Sequence, residues 1–133
     1  MRMLLDTDVL LDFAIGRSPH LEASTGILEW ASLHPGQCAV AWHSISNIHY
    51  LTKGNSQSFL SDLLEFVVIP STGTQEMKHA LDLEFSDLED AMQTAAATTF
   101  KAQIIVTRNT KDFRKSPIKA VHPKDALLML RKR

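Results

Sequence analysis

Four aspartates occupy positions from which their carboxylates could be gathered into one site. Asp6 closes a short apolar run, and Asp112 follows another apolar run, at 104–106, by one loop. Asp87 and Asp90 lie three residues apart at the start of an alanine-rich segment, so on a helix they share one face. A hard cation such as Mg²⁺ or Mn²⁺ takes oxygen ligands of this kind, together with water and phosphate oxygens.

Each of these acids also has a local explanation that involves no ligand. Asp6 suits a turn at the end of a strand, Asp87 and Asp90 suit the first turn of a helix, and Asp112 suits a cap. Their shared placement, after strands or at the start of a helix, nevertheless favours a metal site over separate local roles.

Other kinds of site lack the residue spacing that they require. The sequence has a single cysteine, Cys38, and contains neither CxxC nor HExxH, so zinc is disfavoured. The sequence contains no glycine-rich loop of the P-loop or GxGxxG type, so the common nucleotide-binding folds are disfavoured. Cys38 itself lies in an apolar run and is expected to be buried and unreactive.

The elements that must position the acids alternate along the chain. Short apolar runs predict buried strands at 3–5, 37–42, 66–69, 104–106 and 119–121. Helical spacing of apolar residues predicts helices between them, with caps at Ser18, Thr74 and Ser86. The alternation predicts an α/β fold whose parallel sheet is covered on both faces. Functional groups in such a sheet collect just beyond the carboxyl ends of the strands.

Charge and hydropathy limit the partners of the protein. The net charge is −1, so nucleic-acid binding requires a local basic patch rather than a global positive field. Basic residues gather late in the chain, where they form either such a patch or an ordinary solvated surface. No apolar run approaches the length of a membrane span and no signal peptide is apparent, so we expect a cytoplasmic protein without a membrane role.

Three segments of the chain carry recognisable motifs. Residues 4–11 read LLDTDVLL, residues 85–97 join an acidic turn to an alanine-rich helix, and residues 106–113 read VTRNTKDF. These segments resemble, in the same order, the motifs of the PIN-domain nucleases, a family that includes VapC-type toxin ribonucleases. The resemblance extends over nearly the whole chain. It implies that residues 1–133 form a single PIN-like domain with a central parallel sheet of about four to five strands and helices on both faces.

The resemblance also implies roles for individual residues. Asp6 and Asp90 match the family's catalytic metal ligands, and Asp112 or Asn109 would supply the last acidic position. Thr107 would form a hydrogen bond within the site. The expected cofactor is Mg²⁺ or Mn²⁺.

Two positions depart from the family pattern: the last loop has Asn109 where many members have an aspartate, although Asp112 remains, and a helix lacks an acid. Asn47 stands in the helix where the family usually has a glutamate. Asparagine offers a carbonyl oxygen to a metal but no charge, so the affinity for the ion should fall. Asp87 is predicted to compensate as an additional metal ligand.

The activity implied by the resemblance is metal-dependent hydrolysis of RNA by an endoribonuclease. Single-stranded RNA is the expected substrate, with its backbone held by Arg108, Lys111 and Arg114. Trp42 and Tyr50 are expected to lie in the core. The alternative is that their rings stack on bases of the RNA. The family further implies a toxin of a toxin–antitoxin pair, an antitoxin protein as partner, and a homodimer.

Two other functions remain open from the sequence. Because Asn47 replaces the usual acid, the chain could be a catalytically impaired PIN-like module that binds RNA or protein. The segment Asp6, Thr7 and Asp8 also reads as the DxD of a haloacid-dehalogenase-like phosphatase, with Asp6 as nucleophile, although no lysine stands clearly in the place that this family requires.

Overall fold

Five short strands form one parallel sheet in the computed structural model, which describes residues 1–132. They are β1 (Met3–Leu5), β2 (Cys38–Ala39), β3 (Val67–Val68), β4 (Ile104–Val106) and β5 (Lys119–Val121). Their order across the sheet is β3-β2-β1-β4-β5. The predicted α/β fold with a parallel sheet is therefore confirmed.

Within residues 1–132, seven α-helices and one 3₁₀ turn connect and cover the strands. The α-helices are α1 (Thr7–Ile15), α2 (Leu21–Leu33), α3 (Trp42–Leu51), α4 (Gln57–Leu63), α5 (Thr74–Asp82), α6 (Leu88–Phe100) and α7 (Pro123–Arg131), and the 3₁₀ turn is Thr110–Phe113. None of the helices within residues 1–132 has the length and apolar character that crossing a bilayer would need.

Successive residues of the central strand supply the two halves of the core. Met3 and Leu5 pack with α1, α2 and α7 on one face of the sheet, while Leu4 packs with α6 on the other. This division follows from the alternation of side chains along a strand. Cys38 is fully buried, and burial raises the pKa of its thiol to about 12, so it is not a reactive group.

The strand order contains one reversal, and that reversal determines where a site can form. The chain runs from β1 outward through β2 to β3, and then returns to place β4 on the opposite side of β1. The loops that leave β1 and β4 therefore diverge and open a crevice between them. Asp6 and Thr107 follow these two strands directly, so both lie at the crevice.

Several predicted boundaries were wrong at the ends of elements. The predicted strand at 37–42 is much shorter, because α3 already begins at Trp42. Ser18, Thr74 and Ser86 do not cap helices, since the N-cap residues of α2, α5 and α6 are His20, Gly73 and Asp87.

The two aromatic residues that were expected in the core lie at the surface. Trp42 is 72% exposed and Tyr50 is 81% exposed. Both belong to α3, whose buried side is formed by Ser44 and Ile48. Trp42 was expected in a buried strand but begins α3, and Tyr50 lies on the exposed side of the same helix.

Candidate metal centre

Asp6 is held at the end of β1 by hydrogen bonds to both carboxylate oxygens. It is the N-cap of α1, where its Oδ1 accepts a hydrogen bond of 2.8 Å from the backbone N–H of Thr7. Its Oδ2 accepts a hydrogen bond of 2.7 Å from the Oγ1 hydroxyl of Thr107, which follows β4. Asp6 is nearly buried, so these bonds fix one orientation of the carboxylate toward the crevice. Thr107 therefore contacts the Asp6 carboxylate directly across the gap between β4 and β1.

Asp8, in the first turn of α1, adds a second carboxylate that was not among the predicted metal ligands. Its Oδ2 accepts hydrogen bonds from the backbone N–H of Arg108 at 3.1 Å and from Nδ2 of Asn109 at 3.2 Å. Its Oδ1 is buried and has no hydrogen-bond partner among the described residues. An orphaned buried carboxylate oxygen is costly and calls for a partner.

The start of α6 brings further acids to the same place. Asp87 is the N-cap of this helix, and its Oδ1 accepts a hydrogen bond of 2.8 Å from the backbone N–H of Glu89. Asp90 lies in the first turn. Asp112 lies in the 3₁₀ turn after β4, so a third segment of the chain also contributes an acid.

All of these carboxylates line one pocket of about 390 Å³ at the carboxyl edge of the sheet. Six acidic side chains surround it, and no lysine or arginine of the described chain is among its lining residues: Asp6, Asp8, Asp87, Glu89, Asp90 and Asp112. The predicted residues Asn47 and Asn109 also lie in its wall. A second, mainly apolar cavity of about 450 Å³, between α3, α5 and α6, contains none of the predicted site residues.

The electrostatics of the pocket favour a cation. Burial, and then repulsion from Asp8, raises the pKa of Asp6 to about 6. Burial, followed by the charges of Asp87, Asp6 and Asp112, raises the pKa of Asp90 to about 7. Burial likewise raises the pKa of Asp8. Carboxylates whose charged forms are disfavoured in this way are stabilised when a positive charge enters among them.

A polar network beneath the pocket joins the three helices that surround it. The hydroxyl of Thr7 on α1 donates to Oγ of Ser44 on α3 at 2.8 Å. Nε2 of Gln93 on α6 donates to the same Ser44 oxygen at 2.7 Å and to Thr7 at 3.2 Å. Gln93 is buried, and its Oε1 lacks a partner within residues 1–132. These bonds fix α1, α3 and α6 relative to one another, which in turn positions their acids.

The three basic residues that were expected to bind RNA have different surroundings. The guanidinium of Arg108 pairs with the fully buried Asp12 of α1, through Nε at 2.6 Å and Nη2 at 3.2 Å. Its head group is therefore already occupied within the fold. Lys111 and Arg114 are exposed and make no ion pair in the described part of the chain.

The donor set of the pocket matches a hard divalent ion. It offers carboxylate and amide oxygens, and the orphaned Oδ1 of Asp8 and Oε1 of Gln93 add two that no protein group satisfies. Across residues 1–132, no three Asp, Glu, His or Cys side chains already stand close enough together to hold an ion between them. Mg²⁺ ordinarily takes only one or two protein carboxylates, with water and phosphate oxygens completing its shell.

Four residues that the structure brings to the pocket or beneath it were not predicted there: Asp8, Glu89, Ser44 and Gln93. Asp8 could have been predicted from the sequence, because it is a second acid directly after the first strand. Ser44 and Gln93 are isolated polar residues in helices, and their hydrogen bonds join segments 49 residues apart. Only the packing of α3 on α6 reveals that pairing.

The chain resembles known proteins both in sequence and in structure. The profile of the PIN domain matches residues 2–111. Among curated proteins, none is similar enough to be counted as a relative.

Three solved structures are similar over nearly their entire length. A toxin–antitoxin complex from Klebsiella pneumoniae has a TM-score of 0.66 and 25% identity, over 91% of this chain and 97% of that chain. FitAB bound to an IR36 DNA fragment has a TM-score of 0.64 and 16% identity, over 91% and 94% of the two chains. FitAcB from Neisseria gonorrhoeae has a TM-score of 0.61 and 17% identity, over 92% and 98%. The latter two likenesses concern the fold alone.

Proposed function

The chain belongs to the PIN-domain family, and from this premise we propose that it is a metal-dependent endoribonuclease that acts as the toxin of a toxin–antitoxin pair. The observation that carries the proposal is the pocket between β1 and β4, where acids from three separate segments converge. The raised pKa values of Asp6 and Asp90 support a cation there.

In this proposal the acids of the pocket have different roles in binding Mg²⁺ or Mn²⁺. Asp6, Asp87 and Asp90 hold the ion directly, while Asp112 adds negative charge around it. Thr107 and the N–H of Thr7 keep the Asp6 carboxylate in one orientation. When bound, such an ion supplies an activated water and neutralises the charge that develops on the phosphate.

Asp112 is the better candidate than Asn109 for the last acidic position. The side-chain nitrogen of Asn109 is engaged with Asp8, and its backbone N–H donates to Oγ1 of Thr107 at 3.1 Å. Asn109 therefore orders the loop after β4. Asp112 is exposed, lines the pocket and carries a full negative charge toward it.

Substrate contacts are proposed for exposed residues around the pocket. Lys111 and Arg114 hold the RNA backbone as exposed positive charges, whereas Arg108 supports the loop through Asp12. Tyr50 lines the pocket with its side chain mostly exposed, so it offers a ring on which an unpaired base can stack. Single-stranded RNA is the substrate that such an arrangement accepts, because its bases are free to stack.

The toxin role rests on the structural relatives. The Klebsiella pneumoniae relative was solved as a toxin–antitoxin complex. We extend that association to this chain, with an antitoxin protein as its partner and a homodimer as its assembly. Size measurement of the chain, alone and when produced together with the product of its neighbouring gene, tests both parts.

Cleavage of single-stranded RNA tests the enzymatic part. The wild-type protein is expected to cut a fluorescent RNA with Mn²⁺ and to stop when a chelator removes the ion. Asp6→Asn keeps the oxygen that caps α1 but loses the charge, so it should fold normally and lose cleavage. Asp62→Asn, an exposed acid on α4 outside the pocket, serves as the matched control and should remain active. Absence of cleavage by the wild-type protein in Mn²⁺ favours a binding module without turnover.

A further inference from the structure

Asn47 and Glu89 meet at the wall of the acidic pocket. Asn47 lies on α3 and Glu89 in the first turn of α6, and both line the cavity. Nδ2 of Asn47 donates a hydrogen bond of 3.4 Å to Oε1 of Glu89. Asn47 on α3 has no carboxylate of its own, but its side-chain amide binds the carboxylate of Glu89 on α6.

The placement of this pair follows from the packing of the two helices. Ser44 of α3 is hydrogen-bonded to Gln93 of α6 at 2.7 Å, in the buried layer below. Asn47 is three residues beyond Ser44, and Glu89 is four residues before Gln93, so each pair lies one turn apart on its own helix. The buried contact therefore sets the distance at which Asn47 meets Glu89. The two pairs form successive contacts between α3 and α6, the outer one at the wall of the pocket.

The buried layer also contains an independent sign of a ligand. Oε1 of Gln93 has no hydrogen-bond partner within residues 1–132, although the residue is almost completely buried and lines the pocket. An unsatisfied buried oxygen beside six carboxylates fits an occupant that brings positive charge or hydrogen-bond donors.

We propose that Glu89, held by Asn47, supplies the negative charge that the asparagine itself cannot give to the metal site. The proposal rests on the proposed function, because it concerns the same ion. In it, Asn47 is a positioning residue: its amide donates to Glu89 and restrains the carboxylate at the rim of the pocket. Glu89 contributes charge to the ion, either directly or through water.

Titration calorimetry with Mn²⁺ on the full chain tests the role of Glu89. Glu89→Gln keeps an oxygen that accepts from Asn47 and removes only the charge, and the affinity for Mn²⁺ is expected to fall by about tenfold to a hundredfold. Asp62→Asn removes an exposed acid outside the pocket and should leave the affinity unchanged. An unchanged affinity in Glu89→Gln overturns the proposal.

The double variant Asn47→Glu with Glu89→Gln separates charge supply from a structural effect. It moves the carboxylate from α6 to α3, so it should recover most of the affinity that Glu89→Gln loses. Failure to recover, when thermal unfolding shows that the variant is folded, overturns the exchange of roles between the two positions.

The wild-type titration distinguishes failure of this proposal from failure of the proposed function. Wild-type binding of Mn²⁺ without cleavage of any RNA rejects the nuclease and leaves the role of Glu89 supported if Glu89→Gln binds more weakly. Binding that is identical in both proteins rejects the role of Glu89 alone. Absence of wild-type binding rejects both.

Discussion

The loop that carries Thr107 and Asn109 is anchored by Arg108, and removal of its side chain should lower stability substantially. The guanidinium makes two hydrogen bonds to the buried carboxylate of Asp12, at 2.6 Å and 3.2 Å. A second arginine, Arg17, pairs with Oδ1 of Asp12 at 2.9 Å, but its side chain is 41% exposed. Arg108→Met retains much of the buried stem and deletes only the charge and its hydrogen bonds.

The expected loss follows from what remains around Asp12. Breaking a buried ion pair by removal of one partner costs about 3–5 kcal/mol, because the other charge stays buried without compensation. Arg17 continues to neutralise one oxygen of Asp12, so we expect about 3 kcal/mol, at the lower end of that range. Because typical domains are stable by about 5–15 kcal/mol, the variant should still fold.

Urea unfolding followed by circular dichroism measures the loss, with the slope expected to match that of the wild-type protein. Arg114→Met is the matched control: this exposed arginine should change stability by no more than about 0.5 kcal/mol. The double variant Arg108→Met with Asp12→Leu removes the stranded charge and should recover most of the loss. A loss below about 1 kcal/mol in Arg108→Met, or no recovery in the double variant, would refute the anchoring role.

Three further predictions concern the pocket. The raised pKa values of Asp6 and Asp90 mean that the folded state binds protons more tightly than the unfolded state, so these acids make the metal-free protein more stable as pH falls from about 7 to about 4. Urea unfolding in chelator should show a smaller gain in Asp90→Asn, and an equal gain would contradict the electrostatics. Asp87→Asn, which preserves the cap of α6, should weaken Mn²⁺ binding in calorimetry about as much as Asp90→Asn; unchanged binding would remove Asp87 from the ligand set. Tyr50→Ala should lower the affinity for single-stranded RNA by about fivefold or more in fluorescence anisotropy, since a stacked base contributes about 1–3 kcal/mol, and equal affinity would exclude stacking.

The positions of the strands were predictable from the sequence where a run is short and its end is marked by a polar residue. The predicted strands at 104–106 and 119–121 coincide with β4 and β5; the polar residues Gln103 and Thr107 bound the first run, and His122 ends the second. The strand predicted at 37–42 is longer than the observed strand β2. Val40 and Ala41 are buried like strand residues, yet they lead into α3, and hydrophobicity alone does not distinguish these two uses.

The convergence of the acids at one pocket was predictable from the sequence, but the groups that hold them in place were not. Asp6, Asp90 and Asp112 follow strands or begin a helix, and the topology brings such positions together. The buried pair of Asp12 and Arg108 joins residues 96 positions apart, and a lone acid in an apolar helix identifies no partner. For the same reason Arg108 was assigned to RNA. Local charge patterns do not show whether an arginine faces solvent or a buried carboxylate.

Anomalous diffraction from crystals grown with Mn²⁺ tests the central claim most directly, because it locates the ion independently of any activity. We expect a strong peak in the pocket between β1 and β4, with carboxylate oxygens of Asp6 and Asp90 in the coordination shell of the ion. A fully occupied peak elsewhere, or no peak in the pocket when Mn²⁺ is in large excess, would contradict the claim.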